Sequence, residues 1–82
     1  MNEKKDLTER EKEVLVGISI VGNRKAAAKL LNIEKTTVDK HVEAIFKKFG
    51  VHEISSAILF GLYYKILDLN NLVKALLTRK YD

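Results

Sequence analysis

Residues 23–50 read NRKAAAKLLNIEKTTVDKHVEAIFKKFG, and the fold turns on how this stretch divides. Asn23 is a good N-cap for a short helix, Arg24–Leu31, whose Ala26-Ala27-Ala28 run favours the helix and admits a close neighbour. Leu31-Asn32-Ile33-Glu34 breaks the pattern, and asparagine is the residue best able to take a left-handed conformation without glycine. A second helix, Lys35–Phe49, then places Val38, Val42, Ile45, Phe46 and Phe49 within roughly 100° of one another, which marks the side turned to the core. Thr36, Lys40, Glu43, Ala44 and Lys47 fall on the opposite side. Gly50 closes this helix, and Lys47 and Lys48 in its last turn suit the helix dipole.

Two short helices joined by such a turn predict a helix-turn-helix. Upstream, Thr8 and Glu11 have the spacing of a capping box, with Leu7 and Lys12 at the staple positions. They predict a first helix from Glu9 to about Ile20, carried by Val14, Leu15, Ile18 and Val21 and stopped at Gly22-Asn23. Downstream, a fourth helix is expected from His52 or Glu53 to about Leu67. It is apolar almost all round, so a second copy of the chain is the expected cover, through Ala57, Ile58, Gly61, Leu62 and Tyr64. The alternative for Gly61 is close packing inside one chain. Asp68 can cap a last helix, Leu69 to about Lys80, striped by Leu69, Leu72, Val73, Leu76 and Leu77. The expected organisation is a flexible N-terminus over 1–6, a helix-turn-helix domain over 7–67, and an additional helix over 68–82 packed on the domain or the dimer interface.

Composition sets the bounds. Eighty-two residues suit one all-α domain and leave little room for a catalytic one beside it. Without cysteine there is neither a disulfide framework nor a thiolate zinc site. Residues 1–6 show no apolar leader, and the apolar-rich run at 57–67 is short of the roughly 20 residues that cross a bilayer. A cytoplasmic protein with no membrane partner is expected. The net charge of +4 is unevenly spread: residues 23–49 hold seven basic against three acidic side chains, while residues 1–22 hold four against five. A basic surface that meets phosphates fits this asymmetry, as does an ordinary solvated face.

Leu7 to Leu15 (LTEREKEVL), Ala28-Lys29-Leu30-Leu31, Thr37-Val38 with His41, Lys47 to Val51 and Ala57 together resemble the LuxR type of helix-turn-helix, also called the GerE or LuxR C-terminal-like domain. The resemblance runs from about Leu7 to Leu62. It implies a four-helix domain, here with an additional C-terminal helix, whose third helix enters the major groove and whose fourth forms a dimer. It puts base reading on Asp39, Lys40 and Glu43. Phosphate contacts are expected around Lys35, Thr37 and Lys47, with Arg24, Lys25, Thr36, His41 and Lys48 as further basic or polar candidates. Four positions depart from the family pattern. Asp39 and Glu43 are acidic where basic or small residues are common; Glu34 holds an N-cap usually given to Ser or Thr, so that Thr36 or Thr37 must supply the cap or leave it weak; Ile54 replaces a common Arg. A carboxylate can accept from the cytosine N4 amino group. For Glu43 an i, i+4 pair with Lys47 is the favoured alternative, and Asp39 stays open between reading and structure.

The implied function is that of a small stand-alone transcription regulator, a homodimer binding specific double-stranded DNA. The alternative is a helix-turn-helix protein-interaction module, an antagonist or co-regulator that has lost conventional DNA reading; the series at 7–15 also occurs in sigma-factor-like promoter readers. His41 and His52 lack a carboxylate at ligand spacing, and no nucleophile–base arrangement or glycine-rich phosphate loop is present. No metal, cofactor, small-molecule ligand or enzymatic activity is therefore expected.

Overall fold

The computed structural model describes residues 6–79. Among these the chain forms α1 (Glu9–Val21), α2 (Arg24–Leu31), α3 (Lys35–Phe49), α4 (Ile54–Tyr63) and α5 (Leu69–Arg79). The expected flexible segment falls almost wholly outside the described residues.

The boundaries follow from local chemistry. Thr8 Oγ1 accepts from the Glu11 amide at 3.1 Å while Glu11 Oε1 accepts from the Thr8 amide at 3.0 Å, completing the capping box. Asn23 Oδ1 accepts from the Ala26 amide at 2.7 Å and opens α2. Asn32 ends α2 in the left-handed region, φ 59°, and the Ile33 amide reaches back to the Ala28 carbonyl at 3.0 Å. Gly50 ends α3 in the same way at φ 68°. Glu34 stands at the N-cap of α3, and no side chain caps that helix; neither Thr36 nor Thr37 supplies the missing bond.

α1 packs against all four other helices. Its buried residues serve two clusters. Leu15 joins Leu7, Ile45, Phe49, Ala57, Leu67 and Leu72, whereas Val14 and Ile18 join Ala27, Ala28, Val38 and Val42. The second cluster seats α2 and the first half of α3 on α1; the first seats the end of α3, α4 and α5. Phe46, partly buried, touches both. Burying each of the larger side chains contributes about 1.5–3 kcal/mol.

α4 is shorter than expected, ending at Tyr63 rather than near Leu67. The Lys65 amide donates to the Leu62 carbonyl at 3.1 Å and the Ile66 amide to the Gly61 carbonyl at 2.8 Å. This is the bonding of a Schellman motif, with Lys65 at φ 62° where glycine is usual. The reversal carries Leu67 back beneath Gly61, so close that a Cβ on Gly61 would lie 2.8 Å from Leu67 Cγ. Ala57 and Gly61 are therefore buried inside the chain, and the expectation that they meet a second copy is corrected: the space they leave is filled by Leu67 and the core. The outward side of α4 carries Leu59, Phe60 and Tyr63, with Tyr64 exposed just past its end, while Ile58 and Leu62 are half-buried. Asp68 Oδ1 accepts from the Asn70 amide at 2.9 Å and caps α5, which docks on α1 through the buried Leu72 and leaves Leu69, Val73, Leu76 and Leu77 exposed.

Gly61→Ala is expected to destabilise the protein by about 1–2 kcal/mol in urea unfolding: overpacking against Leu67 outweighs the gain of about 1 kcal/mol in helix propensity. An unchanged or raised midpoint would show that Leu67 does not need the missing methyl.

Candidate nucleic-acid interface

α3 presents an inner row of Val38, Val42, Ile45 and Phe49, all buried, against an outer row of Thr36, Lys40, Glu43 and Lys47, all exposed. The inner row fixes the helix by packing on α1 and α2. The outer row is thereby held as a rigid polar strip, about 16 Å from first residue to last at 1.5 Å per residue. Lys35 and Lys25 are exposed beside it, and Thr37, His41 and Ala44 are half-buried along its edges.

The structure separates the expected base-reading residues. Lys40 and Glu43 stand open on the outer row, whereas Asp39 is engaged. Arg24 Nη1, from the first residue of α2, donates to Asp39 Oδ1 at 3.0 Å, and Lys35 Nζ, from the first residue of α3, donates to Asp39 Oδ2 at 3.1 Å. The hydrogen bond from Arg24, then that from Lys35, holds the Asp39 carboxyl below its ordinary value. The Arg24 guanidinium also lies 6.0 Å from the Phe46 ring centroid. Two of the expected phosphate contacts are thus already bonded to one carboxylate. The i, i+4 spacing of Lys35 and Asp39 was visible in the sequence; the crossing from Arg24 was not, because it depends on how α2 lies against α3.

The expected Glu43–Lys47 pair is not formed. Both side chains instead line an open groove of about 400 Å³ with Phe46, Gly50, Val51 and His52. Among the described residues Glu43 makes no ion pair, so its carboxylate remains available.

Lys48 is turned away from the outer row: its ammonium donates to Glu11 Oε1 at 2.7 Å, joining the end of α3 to the start of α1. Glu11 is 6% exposed. Burial works to raise its pKa, but the Lys48 hydrogen bond, the Thr8 amide and the nearby positive charges prevail and the net shift is downward. Lys48 is accordingly a structural tie first, and the sequence offered no sign of its partner 37 positions away. Among the described residues no group of His, Cys, Asp or Glu is placed to hold a metal ion, and no helix is long and apolar enough to cross a membrane.

Comparison with known proteins agrees with this architecture. The model of the bacterial regulatory proteins of the luxR family matches residues 5–60. The transcriptional regulatory protein LnrK of Bacillus subtilis (strain 168) is 38% identical over 65 residues, which are 79% of this chain and 30% of LnrK. The chain thus spans under a third of that relative's length. No solved structure matches it.

The depressed pKa of Glu11 has a definite sign for stability. A carboxylate held low when folded contributes stability that is present above the ordinary carboxylate range and lost as pH falls through the lowered value. Glu11→Gln keeps the acceptor for Thr8 but removes the charge. At pH 7 it should lower unfolding free energy by about 1 kcal/mol, and at pH 3 the gap to the parent should close. Equal gaps at both pH values would assign the effect to packing.

Proposed function

The chain belongs to the luxR family of bacterial regulatory proteins, and from that premise we propose that it binds specific double-stranded DNA as a transcription regulator, with α3 in the major groove. The observation that carries this reading is the outer row of α3: Thr36, Lys40, Glu43 and Lys47, exposed together on a helix whose other side is locked into the core. A B-form major groove admits one helix, and side chains of this length reach base edges from it.

Lys40 donates to guanine O6 or N7, and Glu43 accepts from cytosine N4. Lys25, Lys35, Thr36 and Lys47 meet backbone phosphates, assisted by the first-turn amides of α3, which no side chain caps. Two observations sharpen the division of labour. Lys48 is committed to Glu11, and Asp39 to Arg24 and Lys35, so neither is assigned to the DNA on exposure alone. That engagement also weakens the case for a domain turned wholly to protein partners, since one of the two acidic groups behind it is neutralised within the chain.

The protein acts as a homodimer through α4 and α5. Leu59 at 65% exposure and Tyr63 at 78%, with Phe60, Tyr64, Leu69, Val73, Leu76 and Leu77, leave more large apolar surface uncovered than a small monomer tolerates readily. Two-fold pairing there sets two α3 helices about one DNA turn apart. A dimer also places the aromatic cluster of Phe49, Phe60 and Tyr64, whose ring centroids lie 5.8–6.1 Å apart, beside the joint.

Mobility-shift titration against duplexes selected from a random pool tests the reading. Binding should weaken linearly in log affinity against log salt. Lys40→Ala should cost about 1–3 kcal/mol and relax preference at one base pair, while Lys47→Ala should weaken all sequences alike and reduce the salt slope by about one. No shift of any duplex at about 50 mM salt would return the domain to the protein-interaction alternative. Tyr63→Asp should halve the mass seen by light scattering while circular dichroism stays helical; an unchanged dimer would move the interface elsewhere.

A further inference from the structure

Asp39 occupies a position where the family resemblance implies base reading, yet both of its oxygens are already in use. One is bonded to Arg24 at 3.0 Å and the other to Lys35 at 3.1 Å. The two cations come from different helices, the first residue of α2 and the first residue of α3, so the carboxylate bridges the starts of the two helices. Each cation keeps donors in reserve. A guanidinium has five N–H groups and an ammonium three, and the side chains of Arg24 and Lys35 remain 35% and 55% exposed. Phe46 limits the guanidinium from a second direction.

We propose that Asp39 is a positioning residue: it fixes Arg24 and Lys35 as a two-cation clamp for a backbone phosphate, setting the register in which α3 meets the groove, and does not itself read a base. This rests on the DNA-binding reading above and deepens it. Free lysine and arginine side chains would contribute positive charge to any duplex in many geometries. A shared carboxylate biases them toward one. Phosphate contacts fix register and orientation, whereas non-specific binding responds mainly to the amount of charge. Asp39 therefore acts in opposite senses on the two. Its negative charge lowers affinity for arbitrary duplexes, and the order it imposes favours the duplex on which Lys40 and Glu43 can bond at the same time. A long side chain already held in its binding geometry before association loses less conformational freedom on binding.

Fluorescence anisotropy with two probes separates this from the alternatives: a duplex selected by the parent protein from a random pool, and the same duplex scrambled. Asp39→Asn should raise affinity for the scrambled duplex by about 5- to 10-fold at 0.1 M salt, the scale of one added phosphate contact, while affinity for the selected duplex stays level or falls. The ratio between them then drops about tenfold. Asp39→Glu, which keeps the charge and moves it by one methylene, should retain the parent's salt slope and still lose part of that ratio; it also carries the test if Asp39→Asn fails to fold by circular dichroism. In the Arg24→Gln, Lys35→Gln background, Asp39→Asn should change the ratio by less than twofold. A parallel rise for both duplexes would reduce Asp39 to a plain charge. Relaxed preference at one base pair, found by repeating the selection with Asp39→Asn, would restore it as a base reader. Either result overturns the clamp and leaves DNA binding intact, whereas failure of the parent protein to bind any duplex overturns both.

Discussion

Val14 and Leu15 are neighbours in sequence, both wholly buried, and they point into different clusters. Adjacent positions on a helix lie about 100° apart, so α1 can hold both only by being enclosed on two sides. That constraint organises the rest. One side receives α2 and the first half of α3, the other the end of α3 with α4 and α5. α3 therefore touches α1 along much of its length, and its outer row is as firmly placed as its inner one.

The charges repeat this design. Lys48 ties the end of α3 to Glu11 on α1, and Asp39 ties its beginning to Arg24 on α2. These ties divide a basic stretch into two populations. Arg24, Lys35 and Lys48 are committed to carboxylates of the chain, whereas Lys25, Lys29, Lys40 and Lys47 make no ion pair among the described residues. Net charge alone treats all of them as equal, and only the second population meets an approaching polyanion without first sharing a donor.

Much of the fold was legible because its signals are local. The ranges of α2 and α3 follow from Asn23, Asn32 and Gly50, residues whose side chain or backbone freedom ends or begins a helix wherever it stands. The capping box at Thr8 and the cap at Asp68 are of the same kind. What escaped depends on contact between distant residues. The end of α4 is set by Leu67 fitting beneath Gly61, and the periodicity of an all-round apolar segment gives no warning of it. Glu43 and Lys47 have the spacing of an ion pair and do not form one, since such pairs contribute only a few tenths of a kcal/mol and the groove they line offers solvent instead. The outer row of α3 was readable as a row; which of its acids were free was not.

Lys65 adopts a left-handed backbone conformation that costs a non-glycine residue roughly 1–2 kcal/mol. That strain persists because the turn it makes lets Leu67 and Leu72 reach the core. α5 is thus secured by few buried side chains on one face and joined to the rest through a strained link, while α1 to α3 are enclosed from several directions. Proteins open in cooperative units of unequal stability, and this difference in support sets α5 apart from α1 to α3. The amides of α5 are expected to exchange with solvent ahead of those of α1 to α3.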